Sequence, residues 1–150
     1  MIKIMQMTAF DVVEVAKLEQ ACFSSPWSEQ SLLYAVNNAN ASYYVAKENK
    51  KIVGYGGLNY VIDQGYIGNI AVDKDYRRMG VGLSILKSLI SFAEEKKLVS
   101  LSLEVRKSNK AAILMYEKCG FEYAGMRKDF YIWPTEDAII MTKAFSKEGE

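Results

Sequence analysis

Histidine is absent from this 150-residue chain. Its absence removes every Ser-His-Asp and Cys-His catalytic arrangement and every zinc site that needs imidazole, and no metal is expected. Cysteine is scarce: Cys22 and Cys119 lie far apart and form no Cys-x-x-Cys redox or metal pair. With no secretory signal ahead of them, they are expected to be the reduced thiols of a cytoplasmic protein. No apolar run approaches the ~20 residues of a membrane span. A dominant charge is missing too, since nineteen Lys and Arg against eighteen Asp and Glu leave +1. Such a balance gives no global attraction to nucleic acid or to an anionic membrane, and neither is expected as a partner. No repeat, low-complexity segment or linker divides the chain. One domain over residues 1–150 is therefore expected, with a frayed tail at 146–150. Any catalysis must rest on carboxylates, tyrosines, lysines, a cysteine or backbone amides.

What is present is an ordinary globular mixture, half hydrophobic and a quarter charged, long enough to bury a core without staples. Thr8, with Asp11 three residues on, predicts a capped helix from about Ala9 to Cys22. Val12, Val13, Ala16, Leu18 and Cys22 fall near helical spacing there, with Asp11, Glu14, Lys17 and Glu19 between them. Ser24-Ser25-Pro26-Trp27 breaks the pattern, and Ser28 can cap a second short helix through Asn37. Ser42–Ala46, Ile52–Ile62 and Tyr66–Val72 read as an antiparallel meander of strands. After the polar, basic loop Asp73–Met79 the period turns helical, with Leu86, Leu89, Ile90 and Ala93 on one face. Val99–Val105 is a strand, and Ser108 or Asn109 caps a helix to Lys118 that Gly120 terminates. Phe121–Met126 and Ala138–Ala144 are the last strands, joined by a long aromatic loop over Arg127–Asp137. This order implies an α/β domain with a mixed central sheet of about six to seven strands and helices on both faces.

Three places carry chemistry. Arg77-Arg78-Met79-Gly80-Val81-Gly82 lies between a strand and an amphipathic helix. Free amides and the dipole at a helix start favour an anion, and glycines let a phosphate approach closely. A glycine turn with two solvated arginines is the alternative. No Gly-Lys-Ser or Gly-Lys-Thr follows, and Ile85 stands where a dinucleotide fingerprint needs its third glycine. Seven of the ten glycines fall between Gly54 and Gly82, which suggests a ligand or another backbone coming close. Glu104, near the carboxyl end of its strand, alternates with Leu103 and Val105 and so faces away from them. That end of a strand borders a ligand crevice in open sheets, although a lone Glu is more commonly solvent-facing. Asn109, Ala112 and Tyr116 share one face of their helix and leave a shallow track for a slender ligand, or else Tyr116 is a core residue.

Taken together, Ile70-Ala71-Val72-Asp73 with Tyr76-Arg77-Arg78-Met79-Gly80-Val81-Gly82, and Asn109, Ala112-Ile113, Tyr116 and Gly120-Phe121, resemble the two signatures of the GNAT superfamily of acetyl-coenzyme A-dependent N-acetyltransferases. The resemblance runs from about Ile2 to Phe145. A narrower one, carried by Ala21 to Ser28, Leu103-Glu104-Val105-Arg106, Arg127-Lys128, Phe130-Tyr131 and Glu136-Asp137-Ala138, is to the bacterial ribosomal-protein-alanine N-acetyltransferases. It implies acetyl-coenzyme A as co-substrate, held by Ile70, Ala71, Val72, Arg77, Arg78, Met79, Gly80, Val81, Gly82, Asn109, Ala112 and Tyr116. It further implies Glu104 as general base, Tyr116 as general acid, and Pro26, Trp27 and Tyr131 around the N-terminal peptide of a ribosomal protein. Phe130 departs from the pattern, standing where many relatives carry a tyrosine. A covalent acetyl-cysteine route would need an activating base, usually histidine, which is lacking. A lysine or small-amine acceptor, and a non-catalytic coenzyme A-binding module, remain the alternatives.

Overall fold

A computed structural model describes residues 1–145; the expected frayed tail at 146–150 lies outside the described residues. The first strand, β1 (Ile2–Gln6), had no counterpart in the sequence reading. Helix α1 (Val12–Cys22) is preceded by a tight turn over Ala9–Asp11. There the Asp11 carboxylate accepts from the Thr8 amide at 2.8 Å and its hydroxyl at 3.2 Å. Lys47 Nζ lies 3.0 Å from the same carboxylate. Ser28 Oγ accepts from the Ser31 amide at 3.1 Å and so starts α2 (Glu29–Asn37).

The meander follows as β2 (Ala41–Glu48), β3 (Lys51–Val61) and β4 (Gln64–Val72), paired antiparallel as expected. Next come α3 (Val81–Glu95), β5 (Ser100–Arg106), α4 (Lys110–Lys118), β6 (Glu122–Tyr131) and β7 (Glu136–Ala144). The seven strands form one sheet in the order β1-β2-β3-β4-β5-β7-β6. Helices α1 and α2 cover one face over Val15, Leu32, Val45 and Tyr55. Helix α3 covers the other with Ile85, Leu86 and Leu89, all fully buried. Truncating one of these leucines to Ala would cost about 2–5 kcal/mol.

The expected loop over Arg127–Asp137 is a correction. Strand β6 continues to Tyr131, and only residues 132–135 turn. Arg127 pairs with Ala138 and Tyr131 with Glu136, so residues 128–130 bulge opposite Asp137 alone. Asp129 takes a φ of 53° there, and its amide donates to Asp137 Oδ1 at 2.8 Å. A bulge hides the two-residue alternation that marks a strand, while the partner strand still supplies the ladder.

Candidate active site

One gap in the sheet organises the site. Strands β4 and β5 are parallel, but only Gln64, Gly65 and Tyr66 pair with Ser100, Leu101 and Ser102. Among the described residues, no strand pairs with the rest of β4, Ile67 to Val72, along that edge. Its cause is in the register with β3. Leu58 pairs with Ile67 and Gly56 with Ile70, so Gly68 and Asn69 bulge opposite Gly57. A bulge bends its strand, and β4 leaves β5 as a wedge. Ile70, Ala71 and Val72 lie along this wedge.

Helix α3 starts at its mouth. Gly80 caps it at a φ of +80°, a left-handed conformation that glycine adopts without penalty. The first intrahelical bond runs from the Ser84 amide to the Gly80 carbonyl at 3.0 Å. The amides of Val81, Gly82 and Leu83 therefore lack intrahelical acceptors. A Cβ on Gly82 would lie 3.6 Å from Val72 Cγ2 and 3.7 Å from Met115 Sδ, so the ends of β4, α3 and α4 converge there. Arg78 and Met79 are exposed beside these amides. Arg77 is exposed as well, but its side chain reaches back to the strand end: its Nε donates to the Val72 carbonyl at 3.2 Å and its Nη2 to Cys22 Sγ at 3.8 Å. The cluster of glycines divides accordingly. Those at 54 and 56 make room for Val81 and Ile85 of α3, Gly57 for the Tyr43 ring and Gly65 for Leu101. Gly68 and Gly80 face open space.

On the other side of the wedge stands Glu104, opposite the buried Leu101, Leu103 and Val105 as the alternation required. Arg127 Nε is 3.3 Å from its Oε1. Asn109 caps α4 by accepting from the Ala112 amide at 3.2 Å. Tyr116 is buried and packs edge-on against Phe121. Among the described residues its hydroxyl has no protein partner. Burial, with Tyr131 beside it, pushes its phenol well above the ordinary range. Tyr131 is pushed up to about 12 by burial and the Glu104 charge. Glu104 thus influences Tyr131, and Tyr131 influences Tyr116, an electrostatic cluster of three. The Cys22 thiol is also raised by burial and donates to the Val72 carbonyl at 3.6 Å, so it is no ready nucleophile.

Two loops border the cluster. Pro26 and Trp27 are exposed in the α1–α2 connection. The turn of the β6–β7 hairpin lies against the same connection, with Ser24 Oγ donating to the Ile132 carbonyl at 3.0 Å. Arg106, two residues beyond Glu104, ties both loops to the sheet. Its guanidinium donates to the carbonyls of Pro134 at 2.9 Å and Ile132 at 3.2 Å, pairs with Glu136 at 3.2 Å, and lies 4.5 Å from the Tyr131 ring centroid. No local pattern in the sequence marks Arg106 for this role.

Glu19, expected between the apolar positions of α1, is completely buried. Val12, Val15, Ala16 and Glu19 follow the i, i+3, i+4, i+7 rule, a signal that could have found it.

A free strand edge leading to free helix amides can hold an extended ligand that carries amides and then phosphates. The sequence model of the acetyltransferase (GNAT) family matches residues 12–121. The chain belongs to the GNAT family. It is an acetyl-coenzyme A-dependent acetyltransferase with a seven-stranded version of that fold. This GNAT domain is 37% identical over 142 residues to a ribosomal protein bS18-alanine N-acetyltransferase of Escherichia coli, covering 91% of this chain and 93% of that one. A protein of the same description from Haemophilus influenzae is 36% identical over 143 residues, covering 92% and 95%. The crystal structure of the ribosomal-protein-S18-alanine N-acetyltransferase from Escherichia coli superposes with a TM-score of 0.92 at 35% identity, covering 100% of this chain and 97% of that one. Among the described residues, no helix of this GNAT domain is long and apolar enough to cross a membrane.

Proposed function

We propose that this acetyltransferase transfers acetyl from acetyl-coenzyme A to the N-terminal α-amine of a protein, an alanine-starting ribosomal protein in the cytoplasm. The observation that carries the reading is the wedge between β4 and β5, with the α3 amides at its mouth and Glu104, Tyr116 and Tyr131 beyond it. Support for the acceptor comes from the E. coli and H. influenzae relatives, named for the alanine of ribosomal protein bS18.

In this reading the pantetheine amides pair with the free edge of Ile70, Ala71 and Val72. The pyrophosphate takes the amides of Gly80, Val81 and Gly82, with Arg78 and Met79 beside it. Arg77 contributes through the strand end it grips. Asn109, Ala112 and Tyr116 form the wall along the thiol arm. A thioester is already activated, so the protein must position it, take two protons in turn from the ammonium and give one to sulfur. The amine, with a pKa near ~8, is largely protonated at neutral pH, and Glu104 accepts its proton directly or through one water. The freed nitrogen attacks the thioester carbonyl. A backbone amide at Ala71 or Val72 steadies the oxyanion. The carbon–sulfur bond then breaks: Tyr116, kept protonated by its burial, donates to the departing thiolate, and the second proton shed by the nitrogen restores the Tyr116 hydroxyl. Pro26, Trp27 and Tyr131 enclose the peptide end.

Incubating the purified protein with extract of its own cells and labelled acetyl-coenzyme A, then sequencing labelled peptides by mass spectrometry, tests the reading. Label on an N-terminal alanine of a ribosomal protein is expected. Label confined to lysines or to small amines refutes it.

A further inference from the structure

Glu19 is the largest departure from what a core residue should be. Its side chain is fully buried, yet it pairs with no lysine or arginine among the described residues. Packing alone would be served by Leu or Met without desolvating a carboxylate. What surrounds it is a set of three donors from three segments. The Trp27 amide donates to Oε1 at 2.8 Å. The Tyr55 hydroxyl of β3 donates to Oε2. The Asn69 side-chain amide donates to Oε2 at 3.0 Å and Oε1 at 3.4 Å. Only a carboxylate offers acceptor sites to all three at once, because the amide of Gln has a single oxygen.

The identity of those donors matters more than their number. Trp27 belongs to the loop that encloses the acceptor. Asn69 is one of the two bulged residues that turn β4 away from β5, immediately before Ile70 and Ala71. Tyr55 pairs with Ala71 across β3 and β4. One buried group therefore fixes both the acceptor loop and the strand along which the thioester lies. We propose that Glu19 is a positioning residue for the reaction: it holds the Trp27 loop in register with the β4 bulge, so that a bound amine meets the acetyl group at the right place. The proposal rests on the acceptor-site reading above. No residue of Arg77 to Gly82 is hydrogen-bonded to Glu19 among the described residues, so the α3 amides keep their arrangement when this group is lost. Acceptor use should therefore suffer far more than coenzyme binding, which keeps the α3 amides.

The experiment compares the wild-type protein with Glu19→Met, Glu19→Gln and Asn69→Ala. Coenzyme A affinity is measured by calorimetry, acceptor kinetics with an N-terminal alanine peptide, and exchange of the Trp27 amide by NMR. Glu19→Met removes every acceptor while keeping the volume. It should raise acceptor KM about 10–100-fold, the cost of a displaced reacting group. Its coenzyme affinity should stay within about twofold, and its Trp27 amide should exchange about tenfold faster or more once the bond is gone. Glu19→Gln keeps one oxygen for Trp27 and should fall between. Asn69→Ala cuts only the strand contact and should lower kcat more than it raises KM. Acceptor KM and kcat within twofold of wild type in Glu19→Met overturn the proposal. So does an equal loss of coenzyme and acceptor affinity, which would mean a loosened core. Should wild type prefer a lysine or a small amine, the acceptor reading alone falls; the variants are then compared on that amine, and the exchange measurement stands without any acceptor.

Discussion

Replacing Arg106 by Lys should open the acceptor site without touching the coenzyme. The guanidinium reaches the carbonyls of Pro134 and Ile132 at 2.9 and 3.2 Å, Ser24 Oγ at 3.5 Å and Glu136 at 3.2 Å, while resting on the Tyr131 ring. An ammonium is a point charge and cannot fork across these acceptors. The Arg106 side chain keeps a quarter of its surface exposed. Each carbonyl bond is therefore worth about 1 kcal/mol. Stacking on Tyr131 adds about 0.5–1 kcal/mol. The pair with the solvated Glu136 is left out of the sum. The total, about 2.5–3 kcal/mol, corresponds to roughly 60- to 140-fold in the population of the closed arrangement. Lys recovers part of it, so acceptor kcat/KM should fall about 10–100-fold. Steady-state kinetics with an alanine-starting peptide reads this, and calorimetry reads the coenzyme. Acceptor kcat/KM within twofold of wild type, or a parallel loss of coenzyme affinity, would refute the assignment of Arg106 as the clamp of both loops.

Three further outcomes are expected. Gly82→Val adds methyl groups beyond the Cβ that Val72 and Met115 already contact; it should weaken coenzyme A about 10–100-fold by displacing charged hydrogen bonds, and unchanged affinity in a folded variant removes the phosphate site from α3. Glu104→Gln should lower turnover about 10²–10⁴-fold at neutral pH, with a defect that shrinks as pH rises and more amine is neutral unaided; turnover within twofold rejects Glu104 as base. The third outcome concerns stability. Burial of Asp11 raises its pKa, but the Thr8 amide and the Lys47 ammonium outweigh that and hold it below the usual carboxylate range. Its contribution is thus present above the unfolded value near ~3.9 and lost as pH falls through the folded value. Asp11→Asn should cost about 1 kcal/mol at pH 7, with the gap closing below about pH 4 in denaturant titrations; a gap constant from pH 7 to pH 3 contradicts this.

Legibility in the sequence followed the range of the interaction. Ser28, Asn109, Gly80 and Gly120 announce helix ends because capping is decided within four residues, and all four stand where expected. Alternation along β5 put Glu104 opposite its leucines for the same local reason. Long-range pairing was not legible. The short edge strand β1 is held by its ladder with β2, and β6 runs through its bulge because β7 supplies the partners. The β4–β5 wedge, which frames the candidate site, arises from a register shift that no single segment encodes. Glycine density was legible, but its meaning was divided: packing against α3 at Gly54 and Gly56, open space at Gly68 and Gly80. Glu19 was missed because a charged residue was assigned outward by type, although its spacing from Val12, Val15 and Ala16 put it inward.

Acceptor choice is the central claim, and two peptides of matched composition test it most directly. One has a free N-terminal alanine with arginine in place of lysine; the other is N-terminally blocked and carries one lysine. An α-amine is ~2 pKa units less basic than a lysine amine, so roughly a hundredfold more of it is neutral near pH 7, which the greater nucleophilicity of neutral lysine partly offsets. The enclosure proposed for Pro26, Trp27 and Tyr131, beside the Ser24–Ile132 hydrogen bond, would admit a chain end and hinder a lysine flanked by chain on both sides. The account predicts that the free alanine peptide is far the better substrate by kcat/KM. A blocked peptide acetylated as fast or faster would contradict it.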